Sequence, residues 1–193
     1  RSGHPVPITV GGGIKSVSEA DRLFRCGADQ GAVNTGAIRR PRLINEIADR
    51  YGAQALVVSV ECKRINGGWE AYTDNGRQKT GRDARGWIDE AVTRGAGEIL
   101  LTSIDMEGTR GGFDLELVRA AARDVPVPVI AAGGCGSLEH IRAARAAGAD
   151  GVALASVLHY NRLTTQAIDD GLLGTNRGEV GFSTAGAGNT GKI

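Results

Sequence analysis

Pro7-Ile8-Thr9-Val10-Gly11-Gly12-Gly13 and Pro128-Val129-Ile130-Ala131-Ala132-Gly133-Gly134 follow one sequence plan, written twice in this chain. Each is an apolar run ending on glycines. Each then passes through a serine and a helix-like stretch to a Gly-Ala-Asp triplet, Gly27-Ala28-Asp29 in the first copy and Gly148-Ala149-Asp150 in the second. Gly133 follows Gly12, and Gly148 follows Gly27, by the same interval of 121 residues, so the copies align without a gap. After each triplet a short apolar run ends in small polar groups, Asn34-Thr35 in one copy and Ser156 in the other. A strand–Gly-Gly–helix unit repeated at fixed spacing points to a duplicated α/β scaffold carrying two related anion sites.

The rest of the chain continues that alternation. Apolar runs at 6–10, 31–33, 55–60, 99–104, 127–131 and 151–154 read as strands. Amphipathic stretches at 16–26, 41–51, 115–122 and 137–147 read as helices, with Val17, Ala20, Leu23 and Phe24 sharing a face in the first. Strands apolar on both faces, each followed by a helix, make a parallel sheet with helical crossovers. Six βα units with a half-repeat about four units long predict an N-terminally truncated (β/α)8 barrel, six of its eight units being present. In that reading residues 1–173 form the partial barrel and the Gly-, Thr- and Asn-rich segment 174–193 is disordered. One excursion stands out: Thr73-Asp74-Asn75-Gly76 between the short runs 69–72 and 77–80 predicts a hairpin on the loop after the strand that ends at Glu61.

Composition narrows the function classes. A net charge of +1 over 193 residues argues against a nucleic-acid binder. No apolar run reaches the length of a membrane helix. No signal peptide is visible and the three cysteines have no metal-ligand spacing, which predicts a cytoplasmic protein without a metal site. His4, His140 and His159 do not cluster; His140 is expected on a helix surface.

In a parallel barrel, ligands meet the C-terminal strand ends, and phosphates meet backbone N–H groups where glycine permits close approach. Gly12-Gly13 with Asn34-Thr35 makes one candidate phosphate site, and Gly133-Gly134 with Ser156 the other. A single Gly-Gly pair equally serves a tight βα turn; the second copy with its own hydroxyl favours the ligand reading. Two such sites imply a substrate with phosphate at both ends. The candidate acid/base group is Glu61, delivered by an apolar strand to the mouth, where a salt bridge to Lys63 or a nearby Arg is the competing role. Asp105 opens a Gly108-containing loop, and either faces substrate or caps a turn.

The motifs Thr9-Val10-Gly11-Gly12-Gly13-Ile14, Val33-Asn34-Thr35, the block 95–105 that ends Leu101-Thr102-Ser103-Ile104-Asp105, and Ala155-Ser156-Val157-Leu158-His159 resemble the cyclase subunits of imidazole glycerol phosphate synthases over residues 5–163. The resemblance implies a lyase of histidine biosynthesis that takes ammonia from a glutaminase partner. It adds that ammonia to a bis-phosphorylated ribulosyl-formimino aminoimidazole carboxamide ribonucleotide and closes the imidazole ring, with no metal or organic cofactor. By position it assigns Gly12, Gly13, Asn34 and Thr35 to one phosphate, and Gly108, Gly133, Gly134 and Ser156 to the other. Thr102 then lines the pocket between them, with Asp105 nearby. The family's acid/base pair is two aspartates on the first and fifth strands. Here the first of these strands is expected to lie before residue 1, and Glu61 holds the fifth-strand position. Glu107 stands for an Asp usual in the phosphate loop, and Gln30 for a Lys usual where ammonia enters. Two alternatives follow: an impaired paralogue that activates a glutaminase or feeds ammonia to another substrate, and the phosphoribosyl isomerase of the same pathway.

Overall fold

The computed structural model describes residues 6–160 and 163–173, so the expectation for segment 174–193 lies outside the described residues. Six strands run parallel in the order β1 (Thr9–Gly11), β2 (Gln30–Val33), β3 (Leu56–Ile65), β6 (Glu98–Ser103), β7 (Val129–Ala132) and β8 (Gly151–Ala153). The remaining two, β4 (Gly68–Thr73) and β5 (Gln78–Asp83), continue antiparallel from β3 as a meander. The main helices are α1 (Val17–Arg25), α3 (Arg42–Tyr51), α4 (Ala84–Thr93), α5 (Leu115–Ala122), α6 (Leu138–Ala146) and α8 (Thr165–Leu173). Two short ones, α2 (Thr35–Arg39) and α7 (Ser156–His159), follow β2 and β8.

The period of two along each strand sorts its residues to two faces. Val33, Val58, Val60, Ile99, Leu101, Val129 and Ala131 are buried among Leu43, Ile44, Ile47, Trp87, Ile88, Leu117, Val118 and Ile141 of the helices. The alternate residues Thr9, Ala32, Val57, Ser59, Glu61, Glu98, Leu100, Ile130 and Ala153 line a single cavity of about 770 Å³. One face of six strands meets in one cavity only if the sheet curls, as in a barrel wall. The fold is therefore the α/β partial barrel that the alternation predicts.

The duplication is visible bond by bond. Thr9 pairs with Gln30 between β1 and β2, and Ile130 pairs with Gly151 between β7 and β8, each 121 residues on. Asp29 accepts from the Ile8 N–H at 2.7 Å and Asp150 from the Val129 N–H at 2.8 Å. Helices α1 and α6 begin and end at equivalent positions after Ser16 and Ser137. Ser16 and Glu19 form a capping box, in which Glu19 Oε2 accepts from the Lys15 N–H at 2.6 Å. In the second copy His140 Nδ1 takes that place, accepting from the Gly136 N–H at 3.0 Å. His140 is thus a half-buried cap, where a surface position was expected.

These aspartates fix the start of each strand pair, so their loss should be measurable. Asp150→Ala is expected to cost about 1.5–3 kcal/mol, the range for a hydrogen bond to a charged group. Asp29→Ala should cost less, because its bond is exposed to water whereas that of Asp150 is partly buried. Urea unfolding of both variants of the full-length protein checks the order.

The excursion after β3 differs from its prediction in one respect. Strand β3 does not stop at Glu61; it runs on to Ile65 and folds back through Asn66-Gly67 into β4. Cys62 stays buried while Lys63 and Arg64 are exposed, so the extension has no apolar face to announce it. The β4–β5 turn falls where Asp74-Asn75-Gly76 predicts it, with all three in the left-handed region at φ +53°, +57° and +73°. Among the described residues no helix is long and apolar enough to cross a membrane.

Candidate active site

The glycines after β1 leave the sheet at φ +110° for Gly12 and +74° for Gly13, a region that L side chains rarely occupy. A Cβ on either would meet nothing within 4 Å, so their backbone faces open space. Asn34 and Thr35 come to the same cavity from the end of β2, and Glu61 from β3. The structure thus brings Gly12, Gly13, Asn34, Thr35 and Glu61 together. Both amide atoms of Asn34 are buried without a hydrogen-bond partner, an unmet polar requirement at the cavity wall.

The second copy has the same backbone and a different wall. Gly133 and Gly134 stand at φ +88° and +97°, and Gly108 at +75°. Gly108 faces open space, but a Cβ on Gly134 would lie 2.0 Å from the Gly112 carbonyl oxygen, and one on Gly133 2.8 Å from that of Ser103. Ser156 begins α7 as Thr35 begins α2, and the residue before each has the same unusual backbone, φ −130° and ψ −88° at Asn34 and φ −124° and ψ −78° at Ala155. Thr102 pairs in register with Glu61 across β3 and β6. Asp105 turns away: its Oδ2 accepts from the Arg64 N–H at 2.8 Å and pins the extended end of β3. It lines a separate, shallower cavity with Arg64, Asn66 and Asp114.

Glu61 stands midway between the two glycine turns. Strand β3 is two steps from β1 and two from β7, or about 10 Å each way at the usual strand spacing. Its Oε2 accepts from the Gly76 N–H of the hairpin tip at 2.6 Å. Burial pushes its carboxyl above the ordinary glutamate value, and the carboxylates of Glu107 and Asp74 push the same way. The Gly76 N–H and the nearby Asn34 amide oppose the shift. No ion pair to Lys63 forms; Lys63 is exposed on the extension of β3 beyond Glu61. A half-buried carboxyl with a raised pKa, set between two glycine turns, is a candidate for proton exchange.

At the opposite end of the same inner face, burial also raises the Glu98 carboxyl, and the Gln30 amide opposes that shift. Gln30 Oε1 accepts from Thr9 Oγ1 at 2.8 Å and its Nε2 donates to the Gln54 carbonyl at 3.2 Å. Gln30 therefore brings hydrogen bonds but no positive charge to Glu98.

Sequence reading passed over the cations of the first cup. Lys15, Arg39 and Arg77 line the cavity with Asp74 and Asn75. Their signal was faint: Lys15 lies in the loop after β1, Arg39 ends α2 and Arg77 lies in the β4–β5 turn, and only folding brings them to one rim. Among the described residues no group of His, Cys, Asp and Glu converges to hold a metal ion.

A protein-family model described as "Histidine biosynthesis protein" matches residues 2–164. Among curated proteins, the chain is 50% identical over 177 residues to imidazole glycerol phosphate synthase subunit HisF of a Nocardioides species, covering 88% of this chain and 69% of that protein. It is 51% identical over 165 residues to the same-named subunit of Thermobifida fusca, covering 82% and 64%. With that of Legionella pneumophila the identity is 58% over 135 residues, covering 69% and 64%. The chain thus spans about two thirds of the length of these relatives.

Proposed function

The chain belongs to the histidine biosynthesis protein family, and from that premise we propose that it is the cyclase part of an imidazole glycerol phosphate synthase. The observation that carries this reading is the position of Glu61, two strands from each of two duplicated glycine turns. Gly12, Gly13, Asn34 and Thr35 hold one phosphate of a bis-phosphorylated ribulosyl substrate. Gly108, Gly133, Gly134 and Ser156 hold the other, and Thr102 lines the span between. Glu61 moves protons as ammonia adds and the imidazole ring closes. Ammonia reaches the site from a glutaminase subunit, and the relatives' description as a subunit supports a complex. No cofactor has a step in this scheme.

The relatives' shared name favours the cyclase over the isomerase of the same pathway. The test is direct: the full-length protein, given ammonium and the ribulosyl substrate, should release imidazole glycerol phosphate and the aminoimidazole carboxamide ribotide. Isomerised ribulosyl product without ring closure would support the isomerase, and neither product would leave the impaired paralogue.

A further inference from the structure

The hairpin tip is tied to the two ends of α2, which lines the same cavity as the first glycine turn, through groups that an anion would use. Asp74 Oδ2 lies 3.0 Å from Arg39 Nη2, and the Asp74 N–H donates to Thr35 Oγ1 at 3.1 Å. Both residues line the cavity that Gly12 and Gly13 open into. A carboxylate is thus held against a guanidinium at the rim of an anion-receptive cup. Lys15 and Arg77 on the same rim make no ion pair among the described residues, and the buried Asn34 amide behind them is unpaired.

We propose that Arg39 is an anion-binding residue of this cup and that Asp74 is its internal counter-ion, which a phosphate monoester displaces. The proposal rests on the reading of Gly12, Gly13 and Thr35 as a phosphate site and adds a ligand to it. Phosphate and carboxylate compete for the same face of a guanidinium, and the dianion, with three oxygens, meets the planar fork better. Exchange is easy because the Arg39–Asp74 pair is 58% and 43% exposed, which makes it a weak, screened contact. Arg39 is not stranded when the carboxylate leaves, since Nη2 also reaches Gln78 Oε1 at 3.3 Å. The tip's left-handed backbone at Asp74 suits Asn as well as Asp, so the charge can be removed without disturbing the turn.

The experiment titrates inorganic phosphate into the full-length protein and follows the backbone amide resonances of Gly13 and Thr35. Asp74→Asn is expected to tighten binding at these amides by about 3–10-fold, because the competing charge is gone while the donor to Thr35 stays. Arg39→Gln should weaken it by about 10-fold. In the double variant the gain from Asp74→Asn should vanish, leaving the affinity of Arg39→Gln. Unchanged or weaker binding by Asp74→Asn overturns the proposal, as does a gain that persists in the double variant, which would mark a general charge effect. Thr35→Val separates this from the underlying reading. If it leaves phosphate affinity unchanged, the cup itself is misassigned. If it weakens binding while Asp74→Asn gives no gain, the cup stands and the Arg39–Asp74 assignment falls.

Discussion

Glu61→Gln in the full-length protein should lower ammonia-dependent product formation by about 10²–10⁴-fold, the usual contribution of a positioned acid or base, while leaving the fold as stable as before or more so. The two halves of this expectation have separate causes. Glutamine keeps the shape of the side chain, and its carbonyl oxygen can still accept from the Gly76 N–H, so the hairpin tip keeps its tie to β3. It cannot exchange a proton. The stability half follows from the direction of the pKa shift. Burial raises the Glu61 pKa in the fold, so the folded state binds this proton more tightly than the unfolded chain does. The stability gained from that proton is fully present below the unfolded pKa and is lost as pH rises through the folded one. Once ionised in the fold the group is a net cost, and Gln removes it. The stability advantage of Glu61→Gln should therefore grow as pH rises above the ordinary glutamate range. The acid limb of wild-type kcat should lie above the range of an ordinary glutamate, if Glu61 acts as the base. Urea unfolding at two pH values and a pH–rate profile under saturating ammonium read both halves. A rate loss under tenfold would remove Glu61 from the chemistry. A large loss of stability would make it a structural tie of the hairpin instead.

The parts of this molecule that were legible in the sequence are those governed by local rules. Helix α5 occupies the predicted 115–122 because Asp114 caps an unambiguous apolar stripe. The 121-residue duplication was legible because conformation itself is duplicated: Gly12, Gly13, Gly133 and Gly134 all stand at positive φ, where few other residues fit. Helix α4 was passed over although its signals were present, Asp83 accepting from the Gly86 N–H at 2.8 Å and Trp87, Ile88 and Ala91 sharing a buried face. Helices α2 and α7 are too short, at 5 and 4 residues, to show any period. What no local rule could supply was the set of contacts across the mouth. Asp105 was open between substrate and turn until its bond to the Arg64 N–H, 41 residues away in sequence, placed it on the β3 extension. Arg39 and Asp74 lie 35 residues apart and meet only because the hairpin after β3 brings its tip to α2. Carboxylate and guanidinium residues occur throughout such a chain, and topology alone selects which of them face one another.

Gly134→Ala should destabilise the full-length protein by about 4 kcal/mol or more, at the severe end for a single substitution, whereas Gly108→Ala in the same cup should cost about 1–2 kcal/mol. Both glycines are left-handed, at φ +97° and +75°, so both variants carry the strain of a side chain in that region. They differ in what surrounds them. A methyl at 134 would sit 2.0 Å from the Gly112 oxygen and 3.0 Å from Met106 Cβ. That oxygen belongs to a loop fixed in place by the Gly112 N–H, which donates to the Gly134 carbonyl at 2.8 Å. The loop cannot withdraw without breaking this bond and drawing the buried Phe113 from the core. A methyl at 108 would meet nothing within 4 Å. Its effect should fall on the ligand, because it stands where a phosphate oxygen would approach the backbone. Urea unfolding and phosphate titration of the two variants should therefore give opposite rankings: Gly134→Ala fails chiefly in stability, Gly108→Ala chiefly in affinity. Equal losses of stability would mean that backbone strain outweighs the wall. Full phosphate affinity in Gly108→Ala would place the second phosphate on Gly133, Gly134 and Ser156 without this loop.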